Sequence, residues 1–178
     1  VVVALGRRSR LPAIRTACII YIELIRGVPL ISVLFMASFM FPLFMPQGMT
    51  IDVLVRVLVG ITLFAAAYMA EIVRAGLLSV DDGQQEAATA LGMSWGQTMR
   101  RIILPQAVAI MLPPWGNLLI ELLKGTALVA LISVTDLMFQ AKQINASTFL
   151  SAQAFGTALV IYYILARFLI TPFMRWLE

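Results

Sequence analysis

The sequence predicts an all-α membrane protein, a polytopic bundle of helices. Three observations carry that reading. Of 178 residues, 61% are apolar and only 12% charged, with a mean hydropathy of +0.95. A soluble domain has roughly 45–50% apolar residues even with Gly counted, and about 25% charged; a chain this short could not hide the excess from water. Uncharged runs of near-span length recur along the chain. The thirteen Lys and Arg, which against nine Asp and Glu give a net charge of +4, sit between those runs. On a polar background that charge would suggest nucleic acid; here it reads as membrane topology. The chain has one cysteine, Cys18, and no histidine. That excludes an internal disulfide, a Cys metal cluster and His-based acid–base chemistry.

Val1–Leu5 is apolar up to Gly6 and reads as the tail of a span that starts before this sequence. Gly6–Pro12 is a basic loop. Pro12–Arg26 mixes apolar residues with Arg15, Glu23 and Arg26, and reads as a helix starting in the interface. Val28–Met45 holds no charge and spans if it continues from that helix. Met45-Pro46-Gln47-Gly48 is a turn. Val53–Ala70 is the next span, with Arg56 near one end, where it can snorkel. Glu71–Arg101 is the longest polar stretch. Ile102–Ile120 is uncharged but interrupted by Pro105, Pro113, Pro114 and Gly116; helices so broken need neighbours to satisfy the freed backbone. Gly125–Thr135 is apolar but too short to span, which suggests a membrane-depth hairpin or short helix. Asp136–Gln143 is polar, Ile144–Ala166 is the last span, and Arg167–Glu178 forms an amphipathic tail. The total is four spans plus a remnant, in one domain covering 1–178.

The positive-inside rule orients these elements. Arg7, Arg8, Arg10, Arg15, Arg26, Arg74, Arg100, Arg101, Arg167 and Arg175 fall on one side, and Arg56, Lys124 and Lys142 on the other. The Glu71–Arg101 loop and the C-terminus are therefore expected in the cytoplasm.

Within that loop the residues spell a helix–turn–helix. Asp81-Asp82-Gly83 supplies a capping start, Gln84–Leu91 favours helix, and Gly92 suits the position just past a helix end. Ser94-Trp95-Gly96-Gln97 fits a capping box. The first helix is short and rich in Ala87, Ala88 and Ala90. Its small side chains and single acid suit docking to another protein, though an ordinary solvated loop fits the same residues.

These residues also resemble a known pattern. Glu86-Ala87-Ala88, three residues, Gly92, nine residues, Ile102, one residue and Leu104-Pro105 match the EAA loop of ABC-importer permease subunits at full spacing. Arg26-Gly27-Val28-Pro29-Leu30, Ala67–Arg74, Leu104–Ala107, Leu112–Asn117 and Leu122–Leu128 resemble the polar amino-acid uptake branch; Gly125-Thr126-Ala127 departs from it, since many relatives carry an acid and a Ser around the Thr. The resemblance implies a type I importer bundle of about five spans, four of them complete here, in a prokaryotic inner membrane. It implies a second permease, identical or sister, two ATP-binding subunits docking on coupling loops at about residues 80–105, and an extracytoplasmic solute-binding protein. It assigns ATPase coupling to Glu86, Ala87, Ala88, Gly92, Ile102, Leu104 and Pro105, and implies that ATP and Mg are held by the partner ATPase and no cofactor by this chain. No Gly-rich phosphate loop of the Walker type occurs, which agrees with a permease that is not itself an enzyme.

The remaining candidates lie on the broken span. Asn117, Glu121 and Lys124 fall at i, i+4 and i+7, on one helix face, with Thr126 beyond. Ionisable groups at membrane depth are functional suspects: an acid and a base on one face can meet the ammonium and carboxylate of an amino acid, or of a zwitterionic compatible solute such as ectoine. Alternatively Glu121 and Lys124 pair with each other. Glu23/Arg26 and Glu71/Arg74 are i,i+3 pairs with an expected structural role. An autonomous channel or secondary carrier is the competing function. It would need no docking loop and would show inverted repeats, and none is visible.

Overall fold

The computed structural model describes residues 2–7, 9, 11–46, 48 and 50–177. Gln47, in the expected 45–48 turn, and Arg8 and Arg10 of the basic loop lie outside those residues, as do Val1 and Glu178. Eight helical elements follow one another: α1 Val2–Arg7, α2 Pro12–Arg26, α3 Leu30–Phe44, α4 Val53–Leu78, α5 Asp82–Ala90, α6 Trp95–Ile132, α7 Leu137–Thr148 and α8 Ser151–Leu177. Among the described residues there is no strand.

Three helices, α4, α6 and α8, are each long and apolar enough to cross a membrane, and α2 with α3 makes a fourth, bent candidate. The bend is 106°. The expected straight continuation from the interfacial helix into Val28–Met45 is therefore corrected. Pro29 disfavours helical backbone at Val28, so the chain turns there and α3 starts afresh with Pro29 as its N-cap.

The spans are also longer than expected. α4 does not stop at Ala70 but continues to Leu78, because Glu71 and Arg74 are neutralised: Arg74 Nε donates to Glu71 Oε1 at 2.9 Å, and Arg7 Nη1 donates to Glu71 Oε2 at 2.8 Å. α6 runs unbroken through Pro105, Pro113 and Pro114 and takes in most of the expected Gly125–Thr135 hairpin; it ends at Ile132, where Ser133 turns left-handed at φ 61°. The last span begins at Ser151, not Ile144. Residues Ile144–Thr148 belong to α7, which closes on Phe149 at φ 58°. It runs to Leu177, so the expected amphipathic tail is its last turns.

Pro42, Pro105 and Pro172 are preceded by widened turns, whereas Pro113 and Pro114 lie within regular α-helix. π-helical segments occupy Met36–Met40, Met99–Ile103 and Leu165–Ile170, and each ends two residues before a proline, at Pro42, Pro105 and Pro172. A proline ring collides with the carbonyl four residues back and lacks the N–H to bond it. Widening the preceding turn moves that carbonyl off the ring without ending the helix.

Helices pack through small residues. Gly76 of α4 sits against Met111 and the carbonyl of Ala107 on α6, and Met174 of α8 covers Gly116. Ala67, Ala70, Ala107, Ala154 and Ala158 are buried. Lipid gives no hydrophobic drive for helix association, so close approach of backbones supplies the packing. One cluster, Leu34, Val57, Val129 and Ile132, joins α3, α4 and the end of α6. A second, Ala4, Ile22 and Ala70, joins α1, α2 and α4 at the opposite end.

Candidate functional site

α5 is a short helix with both ends fixed by its own sequence. The Asp81 carboxylate accepts from Gly83 N at 2.7 Å, capping the start. At the other end Gly92 takes φ 73°. Its N–H donates to the Thr89 carbonyl at 2.9 Å, and Met93 N donates to the Ala88 carbonyl at 3.0 Å. Those two bonds are the Schellman closure. Ser94 then opens α6 with a complete capping box: Gln97 N donates to Ser94 Oγ at 3.4 Å, and Ser94 N donates to Gln97 Oε1 at 2.9 Å. The expected helix–turn–helix thus lies at 82–98.

Within the motif the roles divide. Ala88 is 1% exposed and packs inward, while Glu86 and Ala87 face out. Asp82, Gln85, Glu86 and Thr89 share the outward, exposed face of α5. Ile103, between Ile102 and Leu104, is buried; Ile102 is half-buried and Leu104 and Pro105 are exposed. Gln106 was not singled out from the sequence. Its Nε2 donates to the Ile102 carbonyl at 2.9 Å and reaches Gln84 Oε1 at 3.5 Å, tying α5 to the base of the long helix. A polar residue one place past Leu104-Pro105, on the same side as Gln84, is the signal that could have found it.

Asn117, Glu121 and Lys124 lie on α6 and are exposed, on the side that also exposes Pro113 and Pro114. Among the described residues no ion pair joins Glu121 to Lys124. Thr126 is half-buried and donates its hydroxyl to the Leu123 carbonyl at 2.7 Å. Near it Tyr162 of α8 donates to Asp136 Oδ2 at 3.1 Å, while Oδ1 of the same carboxylate caps α7 through Phe139 N at 2.7 Å.

Of the two i,i+3 pairs, Glu71/Arg74 forms and Glu23/Arg26 does not. Glu23 faces Arg7 at 3.6 Å, and the Arg26 guanidinium stacks 5.7 Å over the Tyr68 ring. The cluster Arg7, Glu23, Glu71 and Arg74 joins α1, α2 and α4. Arg56 also departs from expectation. It does not snorkel; its Nη1 donates to the Ser38 carbonyl at 2.6 Å, inside the bundle.

The whole chain, residues 1–178, matches the family of binding-protein-dependent transport system inner membrane components, and it belongs to that family. It is 42% identical over 181 residues to the inner membrane amino-acid ABC transporter permease protein YhdY of Escherichia coli (strain K12), covering 100% of this chain and 49% of that protein. It is 44% identical over 136 residues to the glutamate/glutamine/aspartate/asparagine transport system permease protein BztC of Rhodobacter capsulatus, covering 76% of this chain and 31% of that one. A solved structure, the crystal structure of an amino acid ABC transporter with histidines, matches with a TM-score of 0.89 at 34% identity, over 99% of this chain and 81% of that chain. The chain thus spans about half the length of YhdY and a third of BztC. It is a membrane protein built as an all-α ABC-permease bundle.

Proposed function

We propose that this chain is the membrane-spanning permease part of an ABC importer that moves a polar amino acid or a similar zwitterion. ATP hydrolysis on separate subunits drives the step, and ATP and its Mg are held there. α5 is the coupling helix, facing the cytoplasm with the C-terminus, and Glu86 offers a charge to a basic residue of the ATP-binding subunit. The observation that carries this reading is the geometry of α5. Nearly all of it except Ala88 is exposed, yet both ends are fixed and Gln106 links it to α6. A helix of nine residues is marginal alone, so a rigid, protruding one suits a lever pushed from outside. A second permease, identical or sister, and an extracytoplasmic binding protein complete the assembly. The exposed Asn117, Glu121 and Lys124 face supports a path between the two permeases, where Glu121 meets the ammonium of the solute and Asn117 and Lys124 its carboxylate. The test is co-purification of an ATP-binding subunit in mild detergent. Wild type should retain the subunit and Glu86→Lys should lose most of it; equal recovery would remove the coupling assignment.

A further inference from the structure

Arg56 is a cation on a spanning helix, and among the described residues no carboxylate pairs with it. It turns inward and donates to two backbone carbonyls of α3, Ser38 at 2.6 Å and Ala37 at 3.5 Å. A charged group that turns into a bundle of apolar helices is costly unless it is bonded there. The reason for this bonding is legible in the register. In an α-helix the N–H of residue 42 would bond the carbonyl of residue 38; in the wide turn, where Phe41 N bonds the Met36 carbonyl five residues back, it would bond that of residue 37. Residue 42 is a proline and has no N–H. Arg56 takes the carbonyl that Pro42 leaves in either register.

What the contact holds has a clear neighbourhood. The wide turn Met36–Met40 is itself where α3 and α4 touch, with Ala37 against Gly60, one helical turn along α4 from Arg56. The same α3 brings Leu34 onto Val57, Val129 and Ile132. It also brings Leu30 onto Gly125, whose neighbours are Lys124 and Thr126. Ser38 Oγ and Arg56 Nε are buried without partners, so the guanidinium is held by the carbonyls and not by a full set of bonds.

We propose that Arg56 is a positioning residue: it supplies the hydrogen bond that Pro42 cannot, and so fixes α3 against α4 and against the outer end of α6 beside Lys124 and Thr126. The link to transport rests on the permease reading above; the latch itself does not.

The experiment uses the intact permease in its membrane assembly, with Cys18→Ala. A Cβ at residue 60 would stand 3.3 Å from the Ala37 Cβ, close to the roughly 3.5–4.5 Å span of a disulfide. Ala37→Cys/Gly60→Cys should therefore cross-link on mild oxidation. Adding Arg56→Met should slow cross-linking about tenfold, the scale of one lost charge-assisted bond. Arg56→Lys should keep the wild-type rate, because its ammonium can reach the same carbonyl. Pro42→Ala added to Arg56→Met should restore cross-linking by returning the N–H. Without the cysteine pair, Arg56→Met should raise the apparent KM for the solute about tenfold, and Arg56→Lys or Pro42→Ala should reverse it. Unchanged cross-linking in Arg56→Met overturns the latch. Slower cross-linking with an unchanged KM overturns its link to the path. Should the cysteine pair fail to fold, the same cycle read in KM decides the question. Absence of uptake in wild type would instead count against the permease reading.

Discussion

Replacing Gly92 tests the proposed coupling role of α5 more cleanly than any other single change. Gly92 sits at φ 73°, and a Cβ added there meets no atom within 4 Å. Any loss is therefore a backbone effect, free of steric conflict. A left-handed residue with a Cβ costs about 1–2 kcal/mol. That lowers the population of the closed helix end by a factor of about 5–30. Asn tolerates the left-handed region better than Ala, and β-branched Val tolerates it worse. Pro cannot adopt this φ at all, and it removes the N–H that Gly92 donates to Thr89. Solute uptake should fall in the order Gly92→Asn, Gly92→Ala, Gly92→Val, Gly92→Pro, with the Pro variant inactive. Quantitative blotting of membranes should show near-normal amounts throughout, since α5 contributes only Ala88 to the interior. Full uptake by the Val and Pro variants, or a loss that parallels membrane abundance, would refute the reasoning.

Three other outcomes follow from the same geometry. Glu71→Gln should lower the thermal midpoint of the purified protein by the equivalent of about 1–3 kcal/mol, because Arg7 and Arg74 lose their shared carboxylate; Glu23→Gln, on a far more exposed pair, should change stability by less than about 1 kcal/mol in the same melt. Glu121→Lys/Lys124→Glu should stay as inactive in uptake as either single change, since the two groups form no ion pair and would face the wrong ends of a zwitterion; recovery by the double change would make them a structural pair. Single cysteines at Gln85 and Thr50, in a Cys18→Ala background, should react with a membrane-impermeant maleimide from opposite sides of the membrane, and labelling of both from one side would overturn the orientation.

The helix–turn–helix at 82–98 was legible because its signals are local. Asp81, Gly92, Ser94 and Gln97 each act within four residues of their own position, so the sequence alone states what they do. The spans were less legible at their ends. Glu71 and Arg74 looked like the start of a polar loop; they pair with each other inside α4, and Arg7, 64 residues away, takes the second carboxylate oxygen. Prolines 105, 113 and 114 looked like breaks because the cost of a proline is assessed on a straight helix. The widened turn before Pro105 carries the helix past it, and the same spacing before Pro42 and Pro172 is a rule the sequence could have offered. Arg56 was read as a snorkelling residue near a helix end, which is the local expectation; its partner carbonyl is 18 residues upstream. Asn117, Glu121 and Lys124 were placed on one face by helical period alone, and all three are exposed along α6, while Thr126 is half-buried.

The central claim is that transport through this chain is driven from outside it. The most direct measurement is uptake of a labelled polar amino acid into proteoliposomes carrying the permease and its binding protein, with and without the ATP-binding subunits. Without those subunits uptake should not exceed that of empty liposomes, and with them uptake should depend on ATP. Equal uptake in their absence would contradict that claim, and would make the chain an autonomous carrier or channel.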